Sequence, residues 1–258
     1  MQLRALALAF SLALPHLAQA EIVKKPFDYH LAGRKYEGYV AYDDAIKGTR
    51  PAVLVAHDWL GVTDKTKAKV EELAKLGYVA LAADLYGKGN RPANPEEAGK
   101  AAGALKEDRI ALRARMQQGL KVLKEQPQTD KTRIAVIGYC FGGTAAIELG
   151  RAGADLKGIV SFHGGLDSPK PADGKRIKGK VLALHGADDP FVKPTDLAAF
   201  EQEMRDSGVD WQLVKYGGAV HSFTDKTAGD DPKKGAAYNA GADKRSWVAM
   251  QDLFKEIF

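Results

Sequence analysis

The sequence predicts an α/β fold: a mostly parallel sheet with helices on both faces and an antiparallel hairpin at its N-terminal edge. Three observations carry that expectation. Apolar, strand-like runs alternate with amphipathic stretches over nearly the whole chain after residue 20, as they must where crossover helices join parallel strands. Several runs are apolar at consecutive positions, for example Pro51-Ala-Val-Leu-Val-Ala56, which is the pattern of strands covered on both faces. One such run ends in Gly138-Tyr139-Cys140-Phe141-Gly142 and turns helix-like at once, as in a strand, sharp turn and helix with a nucleophile at the turn.

The first twenty residues stand apart. Arg4 precedes an apolar stretch from Ala5 to Leu14, and Ala18-Gln19-Ala20 follows, so residues 1–20 read as a secretory signal peptide with a small-residue cleavage site. That stretch is shorter than the ~20 residues a membrane span needs. The expectation is therefore an exported chain, periplasmic or secreted, with no membrane partner. The 238 residues from 21 to 258 suffice for one large core and are expected as a single domain. The formal charge of +5 becomes +4 without Arg4, and the basic residues are scattered among acidic ones, which argues against a nucleic-acid partner. A single cysteine excludes an internal disulfide.

In chain order, Lys25 to Asp44 alternates around Leu31-Ala-Gly-Arg-Lys35 and predicts the hairpin. Val70, Leu73 and Leu76 are spaced along a helix from Thr63 that Gly77 closes. Tyr78 to Tyr86 forms the next strand and its exit, and two helices are expected between Pro95 and Gln126. After the glycine-rich turn come strands at Lys157–His163, Lys180–His185 and Trp211–Tyr216, with a helix over Thr195–Ser207. A last helix, from Lys244 to Phe258, places Trp247, Met250, Leu253, Phe254 and Ile257 on one side.

The chemistry-bearing residues collect at strand ends. Cys140, His57, His163 and His185 end strand-like runs, and His221 lies a short turn after another, so all should meet at the carboxyl edge of one sheet. A thiol nucleophile needs a base, and the base needs a carboxylate to orient it. The order nucleophile, acid, histidine is met by Cys140, then Asp188 or Asp189, then His221. His57, His163 and His185 read as packing and loop-anchoring residues. The N–H of Phe141 falls at a helix N-terminus, where an oxyanion is favoured.

Taken together, His57-Asp58-Trp59-Leu60-Gly61, Ala83-Asp84-Leu85-Tyr86-Gly87, Gly138-Tyr-Cys-Phe-Gly-Gly143, Asp189-Pro-Phe-Val192 and His221-Ser-Phe223 resemble the dienelactone hydrolase family of the α/β-hydrolase superfamily over essentially the whole chain after residue 20. The resemblance implies an α/β-hydrolase fold and a hydrolase of small-molecule esters or lactones that uses no cofactor or metal. It implies Cys140 as nucleophile, His221 as base, Asp189 rather than Asp188 as the orienting acid, and the N–H groups of Trp59 and Phe141 as the oxyanion hole. It also brings Asp58, Tyr86 and Lys88 to the substrate, with Asp58 in the place of an acidic residue, usually glutamate, that pairs with the resting thiol. Where dienelactone-opening members carry arginine, this chain has Asp225 and Lys88, so neutral esters are expected over anionic ones unless Arg91 or Arg245 reaches the pocket. Two other classes fit the residues: a binding protein on the same fold, and a metal site built on the strand-end histidines, which lack the spacing of strong metal motifs. Oligomeric state is not readable from the sequence.

Overall fold

The computed structural model describes residues 21–258; the signal-peptide expectation at residues 1–20 lies outside them. Strand β1 (Ile22–Leu31) pairs antiparallel with β2 (Arg34–Asp43). Ala32 and Gly33 join them with φ of 48° and 76°, the left-handed pair of a two-residue hairpin turn whose twist matches the strands. The turn is tighter than Leu31–Lys35 suggested, because alanine accepts a conformation more usual for asparagine or glycine.

Strands β3 (Arg50–Ala56), β4 (Val79–Ala83), β5 (Thr129–Tyr139), β6 (Gly158–Phe162), β7 (Lys180–Gly186) and β8 (Trp211–Tyr216) complete an eight-stranded sheet in the order β1-β2-β4-β3-β5-β6-β7-β8. All pairings from β4 to β8 are parallel, and β2 joins β4 antiparallel. Alternate residues of β3 feed two cores: Leu54 and Ala56 face one side of the sheet, Val53 and Val55 the other. On the first side lie α2 (Pro95–Glu107), α3 (Arg109–Glu125), α4 (Phe141–Arg151) and α5 (Pro194–Ser207), contributing Leu105, Met116, Ile147 and Phe200. On the second lie α1 (Asp64–Lys75) and α6 (Ala240–Ile257), with Leu73, Met250 and Phe254. Each such side chain taken from water contributes about 1.5–3 kcal/mol.

Helix α6 begins at Ala240, a turn earlier than its apolar stripe, because the Asn239 side chain caps it by accepting from Ala242 N at 3.0 Å. Asp108 separates α2 from α3 and caps the second, accepting from Ala111 N at 2.9 Å. Among the described residues no helix is long and apolar enough to cross a membrane.

Candidate active site

Cys140 occupies the junction of β5 and α4 with φ 55° and ψ −120°, a backbone region that side chains rarely adopt and that persists only where its surroundings impose it. Here the surroundings are visible. The Cys140 N–H donates to Phe162 O at 3.0 Å and to His163 Nδ1 at 3.2 Å. A Cβ on Gly142 would collide with the carbonyls of Ala56 and His57, and one on Gly138 with the Gly142 carbonyl, so strand and helix approach only because these positions lack side chains.

The strand-end loops bring His221 and Asp189 to this thiol. His221 Nε2 lies 3.1 Å from Cys140 Sγ, and Nδ1 lies 2.8 Å from Asp189 Oδ2. The His221 backbone is pinned on both sides, its N–H to Gly235 O at 3.1 Å and its carbonyl to Ala237 N at 3.0 Å. Asp189 has a fully buried side chain, and its second oxygen accepts from Phe191 N at 2.9 Å. Asp188 instead turns outward and accepts from Gly218 N at 2.9 Å, which leaves Asp189 as the carboxylate facing the imidazole. Burial opposes a charge on His221, but the bonds to Asp189 and Cys140 outweigh it and raise the imidazole to about 10.

Facing the thiol, the loop after β3 carries Asp58 and Trp59. The N–H groups of Trp59 and Phe141 make no hydrogen bond to another described residue. Tyr86 fixes this loop by donating its hydroxyl to Trp59 O at 2.9 Å. Tyr86 is itself set by Asp84, whose Oδ1 accepts from the N–H groups of Tyr86 at 2.8 Å and Gly87 at 3.0 Å. Tyr86 is thus buried behind the loop. Lys88 is not brought to the site: its ammonium is bound by Asp28 at 2.7 Å and Glu37 at 2.9 Å on the hairpin, a pairing that the local sequence around Lys88 could not disclose. Asp58 borders the cavity, but its Oδ1 accepts from Leu60 N at 2.8 Å and its Oδ2 lies 3.9 Å from Lys65 Nζ. The Cys140 thiol is paired with His221 and not with Asp58, and the short aspartate side chain is folded onto its own loop.

Of the remaining strand-end histidines, His57 and His163 hold loops together, whereas His185 is buried with no hydrogen-bond partner for its Nδ1 among the described residues. His57 Nε2 accepts from Leu85 N at 3.0 Å, and its ring lies against Tyr86. His163 Nε2 meets Thr224 Oγ1 at 2.8 Å, so its ring links the Cys140 amide to the loop after His221; burial, and then the neighbouring His221, keep it well below the usual imidazole range. Among the described residues no three His, Cys, Asp or Glu side chains converge as a metal-ligand set.

A cavity of about 510 Å³ opens beside Cys140 and runs between α1 and α6. Asp225 borders it, its carboxylate bound by Lys65 Nζ at 2.7 Å. Burial works against that carboxylate's charge, but the Lys65 ammonium and the Thr227 donors hold it below its ordinary value. Neither Arg91 nor Arg245 borders the cavity. Sequence reasoning did not find Lys65; its partners are up to 162 residues away, and only the spacing of a helix face marks it.

Residues 36–258 match the dienelactone hydrolase family. The chain belongs to that family. This dienelactone hydrolase family member thus shares the α/β-hydrolase fold and is one of a family of hydrolases. A protein of Aquifex aeolicus, named provisionally as a carboxymethylenebutenolidase, is 29% identical over 88% of this chain and 96% of its own. A Bradyrhizobium protein named a probable 2-oxo-3-(5-oxofuran-2-ylidene)propanoate lactonase is 28% identical over 74% of this chain and 81% of its own. Among solved structures, a dienelactone hydrolase-like promiscuous phosphotriesterase from metagenomic libraries superposes with a TM-score of 0.88 at 40% identity, over 93% of this chain and all of that one. Another, titled m3DLH, gives a TM-score of 0.88 at 41% identity over 92% and 99%.

Proposed function

We propose that this family member hydrolyses uncharged carboxylic esters or lactones through an acyl-thioester on Cys140. The observation that carries the reading is the chain of contacts Sγ···Nε2 at 3.1 Å and Nδ1···Oδ2 at 2.8 Å, at a strained strand-to-helix turn. The thiolate attacks the substrate carbonyl, and the negative oxygen that forms is met by the N–H groups of Phe141 and Trp59. The imidazolium of His221 gives its proton to the leaving oxygen as the C–O bond breaks. His221, now neutral, then takes a proton from water, which attacks the thioester and releases the acid and the thiol. Asp189 fixes the tautomer and orientation throughout. Asp225 and Asp58 share one lysine at the cavity mouth, which disfavours an anionic substrate there.

Purified enzyme is assayed on a panel of esters, lactones and, in view of the phosphotriesterase relative, a phosphotriester. Cys140→Ala and His221→Ala are expected to lose at least about 10³-fold in kcat, and Asp189→Asn less. One equivalent of a thiol alkylator abolishes turnover and a chelator leaves it intact. Full turnover by folded Cys140→Ala would sink the mechanism.

Export, periplasmic or secreted, is proposed on the pattern of residues 1–20. Mass spectrometry of exported protein is expected to show a chain beginning at Glu21; one beginning at Met1 contradicts it.

A further inference from the structure

We infer that the crevice between α1 and α6 is an acyl-chain subsite, so that the substrates of this enzyme are esters with an extended, uncharged acyl group. The inference rests on the hydrolase reading and adds to it which part of the substrate lies where. The residues of α1 that border the cavity, at 65, 66, 68, 69 and 72, and those of α6, at 240, 243, 244 and 247, fall on one broad face of each helix. The cavity therefore follows the helices away from Cys140. The seven rises from Lys65 to Glu72 along α1, at 1.5 Å each, make it about 10 Å long, which is deeper than a compact lactone ring requires.

The leaving oxygen must come within hydrogen-bond reach of His221 Nε2, because that is the atom that protonates it. Neither His221 nor Phe191, whose ring packs edge-on against it with centroids 5.3 Å apart, borders the crevice. The acyl side of the ester is thus the part directed into it. The walls suit an apolar chain: the Tyr139 and Trp247 rings and the methyl groups of Ala68 and Ala240. Charges on the lining balance, four lysines against four carboxylates, and several are already satisfied. Lys69 binds Glu72 at 3.0 Å and lies 5.0 Å from the Trp247 ring centroid, and Asp243 accepts from the Tyr238 hydroxyl at 3.1 Å. A charged acyl terminus would meet as many carboxylates as lysines along the lining, with Lys65 and Lys69 already held by Asp225 and Glu72, whereas an alkyl chain gains from burial along the stems and rings.

The test compares 4-nitrophenyl acetate, 4-nitrophenyl octanoate and the 4-nitrophenyl monoester of octanedioic acid. The kcat/KM of wild type is expected to be at least tenfold higher for octanoate than for acetate, and higher for octanoate than for the acid-ended chain. Ala68 is solvent-exposed on a helix, so Ala68→Trp should fold while blocking the crevice, and the octanoate-to-acetate ratio should fall at least tenfold. Trp247→Ala, which removes a wall, should lower the same ratio. An unchanged ratio in Ala68→Trp, or a tenfold preference for the acid-ended ester, overturns the subsite. Binding decides it without turnover: calorimetry should show octanamide binding Cys140→Ala at least tenfold more tightly than it binds Cys140→Ala/Ala68→Trp. Equal binding rejects the subsite. Wild type that turns over no ester fails the hydrolase reading alone, and octanamide binding still judges the crevice.

Discussion

At the scale of single residues, His221 carries the proton on which the proposed chemistry turns, and that proton is linked to stability. An ordinary imidazole titrates near 6.5, whereas Asp189 and Cys140 raise this one to about 10 against the opposing effect of burial. The native state thus binds the proton more tightly than the unfolded chain. The stabilisation is fully present below about pH 6.5, declines above it, and is lost as pH passes through about 10. Urea unfolding of wild type and His221→Gln at pH 6, 8 and 10 should show a stability difference that is largest at pH 6 and shrinks towards pH 10. A difference that stays constant would show that the native imidazole is not held protonated. Cys140, Asp189 and His221 could be picked out in the sequence because each follows a strand-like run, and chain order supplied their sequence of roles. Choosing Asp189 over Asp188 rested on resemblance, and the structure adds a physical contrast, since one carboxylate faces the imidazole and the other caps a turn. Lys88 could not be placed, because the carboxylates that divert it lie 60 and 51 positions earlier, at Asp28 and Glu37. Distance in sequence, 61 and 160 positions, likewise hid the links that His163 and Lys65 make to the loop after His221.

At the scale of elements, the junction of β5 and α4 depends on absent side chains, whereas α2 contains glycines that nothing requires. Gly142→Ala places a methyl group against two backbone carbonyls, and backbone cannot step aside as a flexible side chain can. A loss of about 1–3 kcal/mol or more is expected, with a lower Tm and weakened activity, because the Phe141 amide shifts with the turn. Gly103 in α2 has open space around its position, so Gly103→Ala should stabilise by about 0.5–1 kcal/mol. Thermal unfolding of the two variants beside wild type should give shifts of opposite sign. Elements were readable where the apolar pattern is strong, as in the unbroken run of β3 and the helical spacing of α1. Their ends were less so: the first turn of α6 is Ala-Gly-Ala and shows no stripe, and β5 begins at Thr129 in a polar stretch that pairs with Arg50 across a register irregularity.

At the scale of the whole molecule, the face of the sheet opposite α1 and α6 contains a buried ion cluster. Arg151 is fully buried, bonds Glu203 through two nitrogens at 2.9 and 2.6 Å, reaches Glu148 at 2.9 Å, and donates to the carbonyls of Leu166 and Asp167. Arg113 joins Glu148 to Asp173 at 2.7 and 2.6 Å. Arg151→Ala would strand the buried carboxylate of Glu203, while Glu148 keeps Arg113, and should cost about 3–5 kcal/mol, read as a lower urea midpoint at an unchanged slope. Folding as a whole also decides when the site exists. The imidazole and the sulfur that it touches are separated by 81 positions along the chain, and β6, β7, α5 and β8 must all be in place before they meet. Closing so long a loop has an entropic cost that only the finished sheet repays. An incompletely folded chain, or one held open by a chaperone, therefore carries Cys140 without the imidazole that contacts it, and the proposed reactivity would appear only with the last strands.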